Sequence, residues 1–168
     1  ELSRNILVEV PEAGIDIQLV DQEGRAMFAE GSAQPNEGMR KLLAAVAPTL
    51  RRMPNKIAIT GHTAAPRPGA APEGNPWELS VARAAAVRAI LSNAGVPDDR
   101  FASVTGKADT EPLIKDNPYL AYNRRVGLDR GFGQDFGCLL DPLDSIIQRA
   151  RCKLRSHLRE VGRRGNAR

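Results

Sequence analysis

Between Gly14 and Val20, Ile15, Ile17 and Leu19 fall on one side of a period-two pattern, with Asp16, Gln18 and Val20 on the other. This spacing predicts a half-buried strand, and Glu23-Gly24 supplies the turn that closes it. The period then lengthens. Met39, Leu42, Leu43, Val46 and Leu50 recur at helical spacing behind Asn36, a good N-cap, and Pro48 is expected to kink this helix or mark its last turn. Lys56–Thr60 reads as a short strand with Ile57 and Ile59 on one face, and the Pro-, Gly- and Ala-rich stretch from Gly61 to Pro76 as a long loop. Loops of this length inside compact domains are more often functional than connecting. Trp77–Asn93 reads as a helix closed by Gly95 and Pro97. "FASVTG" and "RRVGLDR" read as two further strands, the latter turning Val126 and Leu128 inward.

The resulting order predicts an α/β domain with a mixed sheet of about four strands. The strand-helix-strand unit from Lys56 to Gly106 should form two parallel strands joined by a right-handed crossover. The loops that follow these strands, "GHT" and "GKAD", would then emerge at one edge of the sheet, where α/β proteins tend to place ligands. Arg83 stands out on this scaffold. On a helical wheel it lies about 40° from Leu79, within the stripe formed with Ala86, Val87, Ile90 and Ala94. A guanidinium aimed at a core requires an anion or several carbonyls. The wheel leaves three possibilities open: Arg83 reaches solvent, pairs with Asp109 or Glu78, or faces an anionic ligand.

Composition refines this picture. The 168 residues suit one compact domain with some extra chain, and aromatic residues at 4% make the core mostly aliphatic. The net charge of +4 is concentrated at the end: residues 149–168 hold eight Lys or Arg and one Glu, leaving the first 148 residues at net −3. A nucleic-acid function is therefore not expected, because the basic tail lacks interleaved aromatics and the remainder is mildly acidic. Leu143, Ile147, Ala150, Leu154, Leu158 and Val161 suggest an amphipathic helix in that tail. Membrane-surface, partner-docking and solvated roles remain open for it. Cys138 and Cys152 lack metal-ligand spacing, so no metal or cofactor is expected. No apolar run approaches the roughly 18 residues of a membrane span, and the chain begins at Glu1 rather than Met, so it reads as a piece of a longer protein.

"ITGHT", "WELSVARAAAVRAIL", "VTGKADTEPL" and "NRRVGLDR", in this order, resemble the OmpA-like peptidoglycan-binding domain. Within that family, "MFAEGSAQP", the Trp before "ELS", and "GKADTEPL" are most similar to the wall-anchoring domains of flagellar stator proteins. The resemblance implies a two-layer sandwich with helices on one face of the sheet. It divides the chain into an N-terminal strand and linker (1–27), the binding domain (28–130) and the basic tail (131–168). It implies a non-catalytic domain that holds the diaminopimelate-containing stem peptide of peptidoglycan and anchors a stator to the wall. It further implies a homodimer on the periplasmic side of the inner membrane, and a MotA-like membrane partner for the full-length protein.

Carried over by motif, Arg83 binds the ligand carboxylate, with Leu79 and Ser80 preceding it, while Gly61, His62 and Thr63 shape the loop and Asn123 and Arg124 face the cleft. A bidentate guanidinium suits a carboxylate. This chain departs from the family at Ala64, where an aspartate usually grips the diaminopimelate ammonium. Weakened or altered binding is the expectation, with Asp109 or Glu73 as candidate substitutes. The alternative is an envelope interaction or dimerisation module with vestigial glycan binding. A hydrolase triad of His62, Ser80 and Asp109 can be drawn on paper, but no strained nucleophile turn surrounds Ser80, so no enzyme is expected.

Overall fold

The computed structural model describes residues 5–9, 14–29, 31–70 and 74–131. It contains β1 (Ile6–Glu9), β2 (Gly14–Val20), α1 (Glu37–Arg52), β3 (Ile57–His62), α2 (Pro76–Asn93), β4 (Phe101–Gly106) and β5 (Arg125–Gly131). The basic tail with Cys138 and Cys152, and the candidate acid Glu73, lie outside the described residues.

The strands form one mixed sheet in the order β1-β2-β5-β3-β4. β3 and β4 are parallel across the α2 crossover, and every other pairing is antiparallel. The sheet thus has five strands against the four legible in the sequence. The added β1 is only four residues long and carries the continuous apolar run Ile6-Leu7-Val8, which shows no alternation. Pairing with β2, from Ile6 opposite Leu19 to Glu9 opposite Asp16, makes it a strand. β3 runs on to His62, two residues past Thr60, because Gly61 and His62 continue the ladder opposite Val126 and Arg125.

Both helices start where their caps dictate. Asn36 Oδ1 accepts the Met39 N–H at 2.8 Å, with Glu37 in the first turn and Arg51 and Arg52 in the last, matching the helix dipole. α1 continues a full turn past Pro48, which lies on its exposed side, while Met39, Leu42, Leu43, Val46, Ala47 and Leu50 are buried. In α2, Asn75 Oδ1 accepts the Trp77 N–H at 3.0 Å and Pro76 occupies the first turn, where its missing donor costs nothing. The helix ends at Gly95, whose φ of 90° a glycine adopts freely, and Val96 N–H returns to Leu91 O at 3.0 Å.

Strand alternation sets the layers. Ile15, Ile17, Leu19, Ile57, Ile59, Val126 and Leu128 share one face and form a single core with α1, Ala84, Val87 and Leu91. The opposite face carries Asp16, Gln18, Arg125 and Asp129, with Asp16 directly across from Asp129. Burial and the neighbouring Asp129 push the Asp16 carboxyl up, while both its oxygens accept from Gln18 Nε2 at 2.7 Å.

Candidate ligand-binding cleft

The parallel pairing of β3 and β4 brings their following loops together, as the strand-helix-strand pattern predicted. Lys107 N–H donates to Gly61 O at 2.9 Å, and Thr63 N–H to Ala108 O at 2.8 Å. The first turn of α2 lies hard against both strand ends. A Cβ on Gly61 would stand 2.0 Å from Ser80 O, and one on Gly106 would stand 2.5 Å from Ser80 Oγ. Ser80 is fully buried; its hydroxyl donates to Trp77 O at 2.9 Å and accepts the Ala108 N–H at 3.1 Å. Gly61 and Ser80 therefore seat the helix on the sheet, and their contribution to the cleft is positional.

Beside this junction lies a cleft of about 790 Å³. Thr63, Ala64, Ala65 and Pro66 line it from the loop after β3, and Leu79 and Arg83 from α2. Gln22 and Glu23 line it from the turn after β2, and Tyr119, Ala121 and Arg124 from the segment before β5. Arg83 is only 4% exposed, its Nε donates to Ser32 O at 3.0 Å, and its guanidinium carbon lies 5.1 Å from the Phe28 ring centre. The guanidinium is thus held by Ser32 and Phe28 of the loop before α1, contacts that the wheel did not foresee among its open alternatives of solvent, Asp109 or Glu78, and an anionic ligand. The buried stripe of α2 runs through Ser80, Arg83, Ala84, Val87 and Leu91, about one residue round from a stripe centred on Leu79.

Arg124 is held differently. Its Nε donates to Asp21 Oδ2 at 3.0 Å, and its side chain is 36% exposed at the cleft wall. The other Asp21 oxygen accepts the buried Met27 N–H at 2.7 Å, and Asp21 N–H donates to Arg124 O at 3.0 Å. Burial pushes the Asp21 carboxyl up, while the Met27 amide, Arg124 and Arg83 pull it down. Asp21 was not singled out in the sequence. Its one signal was an acid placed directly after a buried strand, and its partner lies 103 residues away. Replacing Asp21 with alanine strips a charged partner from Arg124 and orphans a buried amide, for an expected loss of about 2–3 kcal/mol by urea denaturation.

The remaining sequence candidates lie elsewhere. Alternation turns His62 to the sheet face opposite α2, so it does not reach the cleft; it is 4% exposed and Nδ1 has no partner. Burial, and then the Arg125 charge, push its imidazole down to about 4. Asn123 is fully buried, and instead of facing the cleft it braces the preceding loop: Oδ1 accepts the Ile114 N–H at 2.8 Å and Nδ2 donates to Asn117 O at 2.9 Å. Asp109 is half-buried and does not line the cleft. His62 and Ser80 are on opposite faces of the sheet, so the paper triad does not assemble. Among the described residues no group of three potential metal ligands occurs, and no helix is long and apolar enough to cross a membrane.

A mixed sheet with helices on one face, and an arginine-bearing cleft between the loop after β3 and the start of α2, define an OmpA-type domain. The chain belongs to the OmpA family, which it matches over residues 27–125. It is homologous to motility protein B of Escherichia coli K12, with 36% identity over 128 residues, 76% of this chain and 42% of that protein. The chain therefore spans about two-fifths of that relative's length. The periplasmic domain of Helicobacter pylori MotB superposes with a TM-score of 0.66 at 19% identity, covering 85% of this chain and 90% of that domain. The cell wall anchor of the type VI secretion system from Pseudomonas aeruginosa superposes with a TM-score of 0.63 at 26% identity, covering 78% and 90%.

Proposed function

We propose that this chain is a non-catalytic peptidoglycan-binding domain that anchors a flagellar stator to the cell wall. The observation that carries the reading is the pair of guanidiniums, Arg83 and Arg124, presented to one cleft by fixed partners behind them. Preorganised guanidiniums suit a carboxylate, such as that on the diaminopimelate of a stem peptide. The homology to motility protein B supports a periplasmic location, attachment to the inner membrane through chain outside this segment, and a MotA-like partner. A dimer would strengthen wall attachment through avidity, with no new contact required.

Ala64 lines the cleft where the family carries aspartate, and among the described residues Asp109 does not line that loop's side of the wall and neither does another acid. Binding through a lost charged hydrogen bond should be weaker by about 1.5–3 kcal/mol, or one to two decades of affinity. Co-sedimentation with purified sacculi tests this. The chain is expected to pellet, Arg83→Gln and Arg124→Gln to lower its affinity about tenfold or more, and Ala64→Asp to raise it. If neither the chain nor Ala64→Asp pellets, wall anchoring is wrong for this domain. The reading left standing would be an envelope interaction module, for which exposed Trp77 and Val81, four residues apart on α2, supply an apolar face.

A further inference from the structure

We infer that the outer face of α2 is the docking surface for the C-terminal tail of the same chain, residues 143–161, which lies along it as an antiparallel helix. α2 is apolar on both sides. Its inner side is buried through Ala84, Val87 and Leu91, while its outer side exposes Trp77, Val81, Ala82, Ala85 and Ala89. A helix that is apolar all round is normally covered all round. α1 is built otherwise: Glu37, Arg40, Lys41, Arg51 and Arg52 are all exposed on its outer side, as suits a helix facing water. Trp77, 52% exposed, and Val81, 45% exposed, lie one turn apart and are the most exposed large apolar side chains among the described residues.

The tail has the matching stripe. Leu143, Ile147, Ala150, Leu154, Leu158 and Val161 recur at three- and four-residue steps, and such a stripe is stable as a helix only against an apolar partner. The two elements match in length: residues 143–161 make a helix of about 28 Å, and the 18 residues of α2 one of about 27 Å. The chain also leaves the sheet in the right place. β5 ends at Gly131, and Ile57 pairs with both Arg130 and Phe101, so this is the end of the sheet where β3 and β4 begin and α2 finishes. Residues 132–142 can span up to about 36 Å, enough to bring Leu143 to the last turn of α2 and send the tail back towards Trp77. The exposed alanines allow two helices to approach closely. Glu78, Asp98 and Asp99 beside this face are exposed, and residues 149–168 hold eight Lys or Arg and one Glu, so the flanks of the tail meet opposite charge. Arg88, a cation on this side, is already paired with Asp98 at 2.9 Å. The far face of the sheet fits the stripe poorly, because leucines laid there would bury the charges of Asp16, Arg125 and Asp129.

Trp77 is the single tryptophan of the chain, so its fluorescence reads this face directly. In the full chain, acrylamide quenching of Trp77 should roughly double in Leu154→Glu and in Ala85→Glu, as a ring that the domain leaves 52% exposed is uncovered. Leu154 lies outside the family match at residues 27–125, so that variant tests docking rather than folding. In a Cys138→Ser background, an acceptor dye on Cys152, opposite the apolar stripe of the tail helix, should take up energy from Trp77, and Leu154→Glu should abolish most of the transfer. Equal quenching in the chain and both variants, or transfer that Leu154→Glu leaves unchanged, overturns the inference. Protection of Trp77 that disappears on dilution together with a dimer, followed by light scattering, gives the face to a second copy and overturns it as well.

Discussion

Gly61→Ala is expected to cost roughly 3 kcal/mol or more, or to abolish folding, although it adds one methyl group. The new Cβ would fall 2.0 Å from the Ser80 carbonyl oxygen and 2.9 Å from its carbonyl carbon. Both are backbone atoms in the first turn of α2, so no side chain can swing aside. The helix would have to lift from β3, and in doing so would break the Ser80 bond to the Ala108 amide and shift Arg83. Guanidinium denaturation monitored by circular dichroism measures the loss. Gly24→Ala is the control: its φ of 74° disfavours alanine, but nothing lies within 4 Å of the added atom. It should therefore cost only about 1 kcal/mol. Equal losses in the two variants would show that the α2–β3 contact is not as tight as described.

The second large effect concerns acid. His62 has a folded pKa of about 4 against an ordinary value of 6.5, because burial and then the Arg125 charge disfavour its protonated form, with Glu111 opposing and Lys107 adding a smaller push down. The folded value is the lower one, so between pH 6.5 and 4 the unfolded chain takes up a proton that the folded chain refuses. Stability is full above pH 6.5 and falls as the pH drops towards 4, by roughly 2–3 kcal/mol from this group. The raised carboxyls of Asp16 and Asp21 act in the opposite direction, since protonation relieves their burial at low pH. His62→Gln isolates the histidine. Urea midpoints of the two proteins at pH 7.5 and 4.5 should show a clearly smaller acid loss in the variant. The same loss in both would mean that His62 titrates normally in the folded protein.

The long periodic segments of the chain were readable because their periods report burial directly. Met39 to Leu50 and the alternation from Ile15 to Leu19 each face one core, and local spacing suffices to say so. β1 escaped because a four-residue apolar run has no period, and only a partner strand distinguishes it from a loop. The wheel placed Arg83 on the apolar stripe but could not say whether it is buried or what it meets, since Ser32 and Phe28 approach from a loop 51 and 55 residues away.

The motifs held more of the site than the periodicity did, with one systematic confusion between residues that line the cleft and residues that hold its walls. Thr63, Ala64, Leu79, Arg83 and Arg124 line it; Gly61, Ser80 and Asn123 hold helix and loop in place around it. His62 is a neighbour in sequence only, because successive residues of a strand point to opposite faces.

The residues alone were enough for the family, the parallel crossover, the uncharged residue at position 64 and the place of Arg83 on the apolar stripe of α2, all of which depend on local pattern or on motif order. Which groups line one cleft was decided only by the packing of strands far apart in sequence. Asp21 meets Arg124 because β2 and β5 are neighbours in the sheet, and that contact engages a buried acid behind the cleft wall. Charge balance in a site depends on distances between chain segments, and spacing along the chain does not encode them.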